Sequence, residues 1–297
     1  MASNPNQGGI DIVFGAGGGK GPGEIGAYKA LLELGVPIGT ITGVSVGNLL
    51  AVMATNGMSP DQMAAETLRG LRQRNDPALL LKTLTPCDPI SFLVGGPIDL
   101  TVPLGEMVER LGLKPNKQLQ IVACDFFSRK PFLFAGEDYD LAKAMTASCA
   151  LPTVMRPVWH SGPDQNGDTR VRLLVDGAVY HYNPVDFSRQ PAIVFTFKAA
   201  TEQPRAKDIT SPLDYYFHWR EMYMPIAGHQ SYVDPVRNVV VEIGLPYVAG
   251  LNFSASLNNF DAMVEEGYQT TLKVVGEAIK AGRLPGMQKA PADPQKA

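Results

Sequence analysis

Two glycine-rich turns, each standing where an apolar, β-favouring run gives way to a helical pattern, constrain this chain more than any other feature. The run Ile10-Asp11-Ile12-Val13-Phe14 ends in Gly15-Ala16-Gly17-Gly18-Gly19-Lys20-Gly21, and Ile38 to Thr42 enters Gly43-Val44-Ser45-Val46-Gly47. A short apolar run that stops in glycine reads as a buried strand reaching the edge of its sheet. After the first turn Ala27, Ala30, Leu31 and Leu34 recur at i, i+3, i+4 and i+7, one face of a helix, with Gly35 placed to cap it. Two successive strand–turn–helix units predict an α/β fold.

The rest of the chain continues the alternation. Helical stretches follow Asn48 and again Ser59-Pro60-Asp61, where a serine cap and a first-turn proline signal a helix start. Further strands are predicted over Leu119–Cys124, Pro131–Phe134, Val171–Val175, Ala192–Phe197 and Asn238–Ile243. Val264, Tyr268, Leu272, Val275 and Ile279 mark one face of a long terminal helix that starts near Asn259 or Asp261. The expected architecture is a mostly parallel central sheet flanked by helices. Ser161 to Asp168 and the tail from Pro285 read as loops. With 297 residues, 45% of them hydrophobic, the chain has the material for one large core. The expected organisation is a flexible N-terminus over 1–9, a single domain over 10–284 and a flexible tail over 285–297.

Charge and cysteine usage narrow the function classes. A net charge of −3 supplies no electrostatic reason to bind nucleic acid or an anionic surface, so any lipid contact is expected to be mainly apolar. Cys87, Cys124 and Cys149 are too few and odd in number for a disulfide framework, which fits a reducing compartment. Met1 to Gly9 lacks the basic start and apolar run of a signal peptide, and no apolar stretch approaches the ~20 residues that cross a bilayer. The expected location is cytoplasmic, signal-less secretion being the alternative. The oligomeric state is left open.

Gly43 to Gly47 fits GxSxG in the setting its chemistry requires, a strand before and a helix after. On such an elbow Ser45 projects its hydroxyl from the sheet edge, and the following helix sets positive dipole beside a developing oxyanion. The alternative is an ordinary strand-to-helix turn capped by serine. Consecutive glycines in the first turn let several N–H groups point into one concavity, making an oxyanion hole or a phosphate cradle. A Walker A loop is excluded, because Gly21 follows Lys20 and Phe14 stands where its first glycine belongs. Gly21 to Gly26 matches GxGxxG but starts well after the strand, and no acidic residue stands at the ribose-binding distance.

An attacking serine needs a base within hydrogen-bond reach. None of the four histidines, His160, His181, His218 and His229, lies in a motif. Asp176 follows the apolar run Leu173-Leu174-Val175 and precedes Gly177-Ala178, which places it at a strand end entering a tight turn. An Asx-type turn residue is its alternative reading.

Taken jointly, these pieces resemble the patatin-like phospholipases and lipid acyl hydrolases. That family joins a glycine-rich oxyanion loop, a GxSxG elbow and a distant DG[GA] carrying the base. Here these are Gly17-Gly18-Gly19-Lys20-Gly21, Gly43 to Gly47 and Asp176-Gly177-Ala178. Ala147-Ser148-Cys149-Ala150-Leu151-Pro152 with Pro157-Val158, and Asn183-Pro184-Val185, resemble further family blocks, so the likeness spans roughly residues 10 to 190. It implies a three-layer α/β/α domain and a carboxylic-ester hydrolase acting on phospholipid or another fatty-acyl ester. It further implies a Ser45–Asp176 dyad, an oxyanion hole at Gly17, Gly18 and Gly19, and neither cofactor nor metal. A carboxylate with a reference pKa of ~3.9 is a weak base toward serine, so the dyad depends on burial and on a preformed hole.

Ala16 departs from the family's glycine and is tolerated only where φ is negative. Tyr215, Tyr216, Phe217, Trp219, Met222, Tyr223 and Met224 form an aromatic segment that serves either as a lipid contact or as core packing. The competing readings are an α/β-hydrolase triad using His218 or His229, an acyltransferase sharing the acyl-enzyme, and a non-catalytic nucleotide-binding or scaffold protein.

Overall fold

The computed structural model describes residues 8–74, 96–164, 166–198, 233–246, 248 and 252–287. The first turn pair builds β1 (Ile10–Phe14), α1 (Gly21–Glu33), β2 (Ile38–Val44) and α2 (Val46–Thr55). Gly35, at φ 65, closes α1 as expected, with the Val36 N–H donating to the Leu31 carbonyl at 3.0 Å. Helix α3 (Pro60–Arg74) opens on a reciprocal cap: Gln62 N–H donates to Ser59 Oγ at 3.2 Å and Ser59 N–H to Gln62 Oε1 at 2.8 Å.

Then follow α4 (Thr101–Leu111), β3 (Leu119–Asp125), β4 (Lys130–Ala135), α5 (Leu141–Cys149), β5 (Val158–His160), β6 (Arg172–Asp176), β7 (Ile193–Phe197) and β8 (Val239–Ile243). Helices α6 (Phe253–Asn258) and α7 (Phe260–Lys280) complete the described chain. Periodicity had not singled out α4 or α5, although both carry legible signals. Gly112 at φ 62 ends α4, and Asp140 caps α5 by accepting the Lys143 N–H at 2.9 Å. The three-residue edge strand β5 was also unexpected, being too short to show alternation.

The fold is mixed α/β, a central sheet flanked by helices, with eight strands among the described residues. β3, β2, β1, β7 and β8 lie side by side in parallel, whereas β4, β5 and β6 pair antiparallel. Alternation along β1 sends Ile12 and Phe14 into a large core with α1, α2, α5 and α7, and Val13 into a smaller cluster with Val194, Val185 and Val233.

Helix α7 does not bury the stripe its large apolar residues predict. Phe260, Met263, Gly267, Thr271, Val275 and Ala278 are buried, while Val264, Tyr268, Leu272 and Ile279 sit half-buried on the flank. The reason is backbone contact between α1 and α7: a Cβ at Gly26 would strike the Val264 carbonyl, and one at Gly267 the Gly23 carbonyl. Small residues let two helices approach until main chain meets main chain, and larger side chains are displaced to either side.

Candidate active site

Register alone brings the two candidate residues together. Val44 of β2 lies opposite Val122 of β3, and Asp176 of β6 lies opposite Ala123. β4 pairs with β3 from Gln120 to Asp125, which occupies one edge of β3 along both stretches. β2 and β6 therefore share the other edge and meet end to end, C-terminus to C-terminus. Gly177 fills the junction, where a Cβ would strike the Val122 carbonyl and stand 2.8 Å from a Val44 methyl.

Ser45 leaves β2 at φ 53 and ψ −129, a conformation that costs a non-glycine residue of order 1–3 kcal/mol. This turn aims the hydroxyl across the junction. Ser45 Oγ donates to Asp176 Oδ2 at 2.8 Å, and the other oxygen, Oδ1, accepts the Ala178 N–H at 2.8 Å. Asp176 is only 3% exposed, so its carboxyl group is withdrawn from bulk water.

Strain of this kind persists only where neighbours over-determine it, and the neighbours are polar. The Ser45 N–H donates to Ser148 Oγ at 3.0 Å, and that hydroxyl donates to the Val122 carbonyl at 2.7 Å. Asn48 Nδ2 donates to the Ser45 carbonyl at 2.6 Å, and Cys149 Sγ lies 3.3 Å from the same oxygen. One residue on, the Ala150 carbonyl accepts the Asp176 N–H at 2.9 Å. The end of α5 thus holds both candidate residues at once. The two GxSxG glycines are required by close approach, since a Cβ at Gly43 would lie 2.5 Å from Asn48 Cα and one at Gly47 2.5 Å from the Phe14 carbonyl oxygen.

That last contact sets the elbow against the first glycine turn. Gly15 and Ala16 spend their N–H groups on Glu24 Oε1 and the Tyr182 carbonyl, at 2.8 and 2.9 Å. Lys20 N–H returns to the Gly17 carbonyl at 3.1 Å, closing a single 3-10 turn over Gly18–Lys20. Among the described residues, the amides of Gly17, Gly18 and Gly19 have no acceptor, as expected for the start of a helical turn. Ala16 is absent from the positive-φ residues, whereas Gly18 adopts φ 55, so alanine is accommodated where it stands.

Sequence reasoning had named the Ser148 block without assigning it a role, and had missed Asn48 and Glu24. Glu24 is fully buried in the first turn of α1, and desolvation raises its carboxyl well above the ordinary value, partly countered by the Gly15 N–H. The Glu24 carboxyl tethers the glycine loop by accepting the Gly15 N–H at 2.8 Å. Burial, with Asp125 and Asp176 nearby, pushes the Cys124 thiol up to about 12, which leaves it inert as a nucleophile. His160 packs edge-on against Phe132 and Phe134, and His181 Nε2 faces Asp186 Oδ2 at 3.3 Å. Burial lowers the pKa of both imidazoles. His218, His229 and the aromatic segment 215–224 lie outside the described residues, as do 1–7 and 288–297. Among the described residues no group of three His, Cys, Asp or Glu side chains is arranged to hold a metal, and no helix is long and apolar enough to cross a membrane.

A family model for patatin-like phospholipases matches residues 12–187, the stretch that carries the glycine loop, the elbow and the Asp176 turn. The chain belongs to that family. It is 24% identical over 192 residues to patatin-like phospholipase domain-containing protein 7 of Rattus norvegicus, a match covering 61% of this chain and 12% of the relative. This chain thus corresponds to a small part of that protein's length. Among solved structures, VipD from Legionella pneumophila superposes with a TM-score of 0.50 at 14% identity, covering 93% of this chain and 69% of VipD. The type III effector ExoU of Pseudomonas aeruginosa gives a TM-score of 0.44 at 14% identity, covering 91% of this chain and 53% of ExoU. The VipD likeness extends the family assignment to the fold.

Proposed function

We propose that this protein is a serine lipid acyl hydrolase that cleaves fatty-acyl ester bonds of phospholipids or related lipids through a Ser45–Asp176 dyad. The observation that carries the reading is the 2.8 Å hydrogen bond from Ser45 Oγ to Asp176 Oδ2 across the strained elbow. In this mechanism Ser45 Oγ attacks the acyl carbonyl carbon as its proton passes to Asp176. The oxyanion is held by the amides of Gly17, Gly18 and Gly19, with α2 adding positive dipole from Val46 onward. Collapse expels the alcohol, which leaves with the proton from Asp176. Water then attacks acyl-Ser45, giving its proton to Asp176, and the fatty acid is released as Ser45 recovers it. An acceptor alcohol in place of that water would make the same intermediate serve acyl transfer, so product analysis is part of the test.

The test pairs labelling with kinetics. A fluorophosphonate modifies the wild-type protein and not Ser45→Ala, and Ser45→Ala loses turnover of p-nitrophenyl esters and defined phospholipids while retaining its circular dichroism spectrum. Retention of more than a few per cent of wild-type activity by Ser45→Ala would overturn the assignment. Alanine at His160, His181, His218 or His229 leaves kcat/KM within an order of magnitude; a loss beyond about 10³-fold at one of them places an imidazole between serine and aspartate. Exhaustive EDTA treatment leaves turnover unchanged.

A further inference from the structure

The turn joining β3 to β4 presents apolar side chains that the core does not use. Phe126 and Phe127 are 54% and 63% exposed, and Trp159 on β5 and Val171 before β6 are 60% and 62% exposed. They form one patch. Phe127 meets Phe126 edge-on at 5.9 Å and lies tilted against Trp159 at 6.2 Å, centroid to centroid. Trp159 lies opposite Leu173, whose carbonyl accepts the Phe126 N–H at 2.9 Å, so alternation places Phe126, Leu173, Trp159 and Val171 on one face of three adjacent strands.

The tip is built to hold this display. Buried Asp125 accepts the Phe127 N–H on Oδ1 at 3.1 Å and the Ser128 hydroxyl on Oδ2 at 2.7 Å, and its carbonyl accepts the Arg129 N–H at 2.8 Å. Exposed Arg129 and Lys130 follow in the same turn, and no carboxylate pairs with either among the described residues. Aromatic rings beside unpaired cations complement the boundary of a phospholipid leaflet, where rings enter the headgroup layer and cations meet phosphate. Position agrees with this occupant. β3 runs on from Ala123, opposite Asp176, to Phe126, roughly 10 Å at strand rise, so the tip projects from the edge of the sheet where Ser45 emerges.

We propose that Phe126, Phe127 and Trp159, with Arg129 and Lys130, form a membrane-docking tip that seats this protein on a phospholipid surface with Ser45 facing the leaflet. The choice of lipid over another apolar partner rests on the hydrolase reading above, and docking is therefore measured without turnover. Ser45→Ala protein is sedimented with vesicles of phosphatidylcholine, and with vesicles of equal phosphatidylcholine and phosphatidylglycerol. It binds both, the second more tightly. Adding Phe127→Ser and Trp159→Ser weakens partitioning about tenfold or more, while the same pair in an otherwise wild-type chain leaves soluble-ester turnover unchanged. Arg129→Glu with Lys130→Glu abolishes the preference for phosphatidylglycerol. With Trp219→Phe, Trp159 is the sole tryptophan, and its emission shifts to the blue and is quenched by brominated phosphatidylcholine. Equal binding by the parent and the Phe127/Trp159 variant, or an unquenched Trp159, overturns the proposal. So does a self-associated protein whose dimer the same pair dissolves, because the patch is then an interface between copies. A docked protein that hydrolyses no lipid would instead refute the hydrolase reading and leave the tip standing.

Discussion

The parallel and antiparallel parts of the sheet are built on different principles, and the candidate site lies on the seam between them. β1 is buried at every position and β2 at nearly every one, so their sequences read as continuous apolar runs that end in glycine turns. β4 and β5 alternate or are open to solvent, and β5 is only three residues long. The parallel part supplies what must be rigid, the elbow and the glycine loop, each fixed by main-chain contact. The antiparallel part supplies the reversed strand, and only a reversed strand can bring Asp176 head-on to the end of β2. Run parallel to β3 along the same edge, β6 would have brought its N-terminus to the end of β2 and left Asp176 at the far end of that stretch, beside Asp125.

The seam breaks most completely at its centre. Asp176→Asn keeps the shape and removes the proposed proton acceptor; kcat/KM on a soluble ester is expected to fall more than about 10³-fold, as far as Ser45→Ala takes it. A variant of Asp176 that retains a tenth of the activity would detach the antiparallel part from the chemistry.

The next largest effect belongs to the parallel side. Gly47→Ala forces a Cβ to within 2.5 Å of the Phe14 carbonyl oxygen, in backbone that has no slack. The expected loss is about 3 kcal/mol of stability, read from urea midpoints. Gly105→Ala in α4 is the contrast, since its Cβ meets nothing within 4 Å, and it is expected to stabilise by roughly 0.5–1 kcal/mol.

Ser148 sharpens the comparison, because it hydrogen-bonds both sides of the seam. Ser148→Ala leaves the Ser45 N–H and the Val122 carbonyl unpaired, a cost of about 1–3 kcal/mol. If that strain acts on the elbow, kcat falls by about tenfold to a hundredfold with little change in KM, and Ser148→Thr recovers part of the loss. A purely structural role would lower the urea midpoint and leave kcat alone.

The smallest effect is a change of slope. The Glu24 carboxyl is raised by burial, so on raising the pH the unfolded chain ionises first. Its stabilising contribution is complete below the unfolded value near 4.5 and declines as pH climbs toward the folded value. Glu24→Gln keeps an acceptor for Gly15 and has no proton to lose. Urea midpoints measured from mildly acidic to mildly alkaline pH should therefore fall less steeply for the variant than for the wild type.

What could be read from the amino-acid sequence was local. The strand–glycine–helix units, the Gly35 stop, the Ser59 start, the elbow at Ser45 and the turn at Asp176 each declare themselves within a few neighbouring residues, where φ/ψ preference and periodicity act. The resemblance joined them, and the match over 12–187 supports the join. Tertiary structure alone decided how they meet. The Ser45–Asp176 contact spans 131 residues and depends on β6 running backwards along β3, a direction that no local pattern encodes. Ser148, Asn48 and Glu24 are ordinary polar residues until packing removes water from around them. In α7 the apolar stripe misjudged the buried face, because the closeness of α1 is set by Gly26 and Gly267 together. Hydrophobicity tells which residues leave water, whereas mutual approach, strand direction and the partners of buried polar groups are properties of pairs distant in sequence.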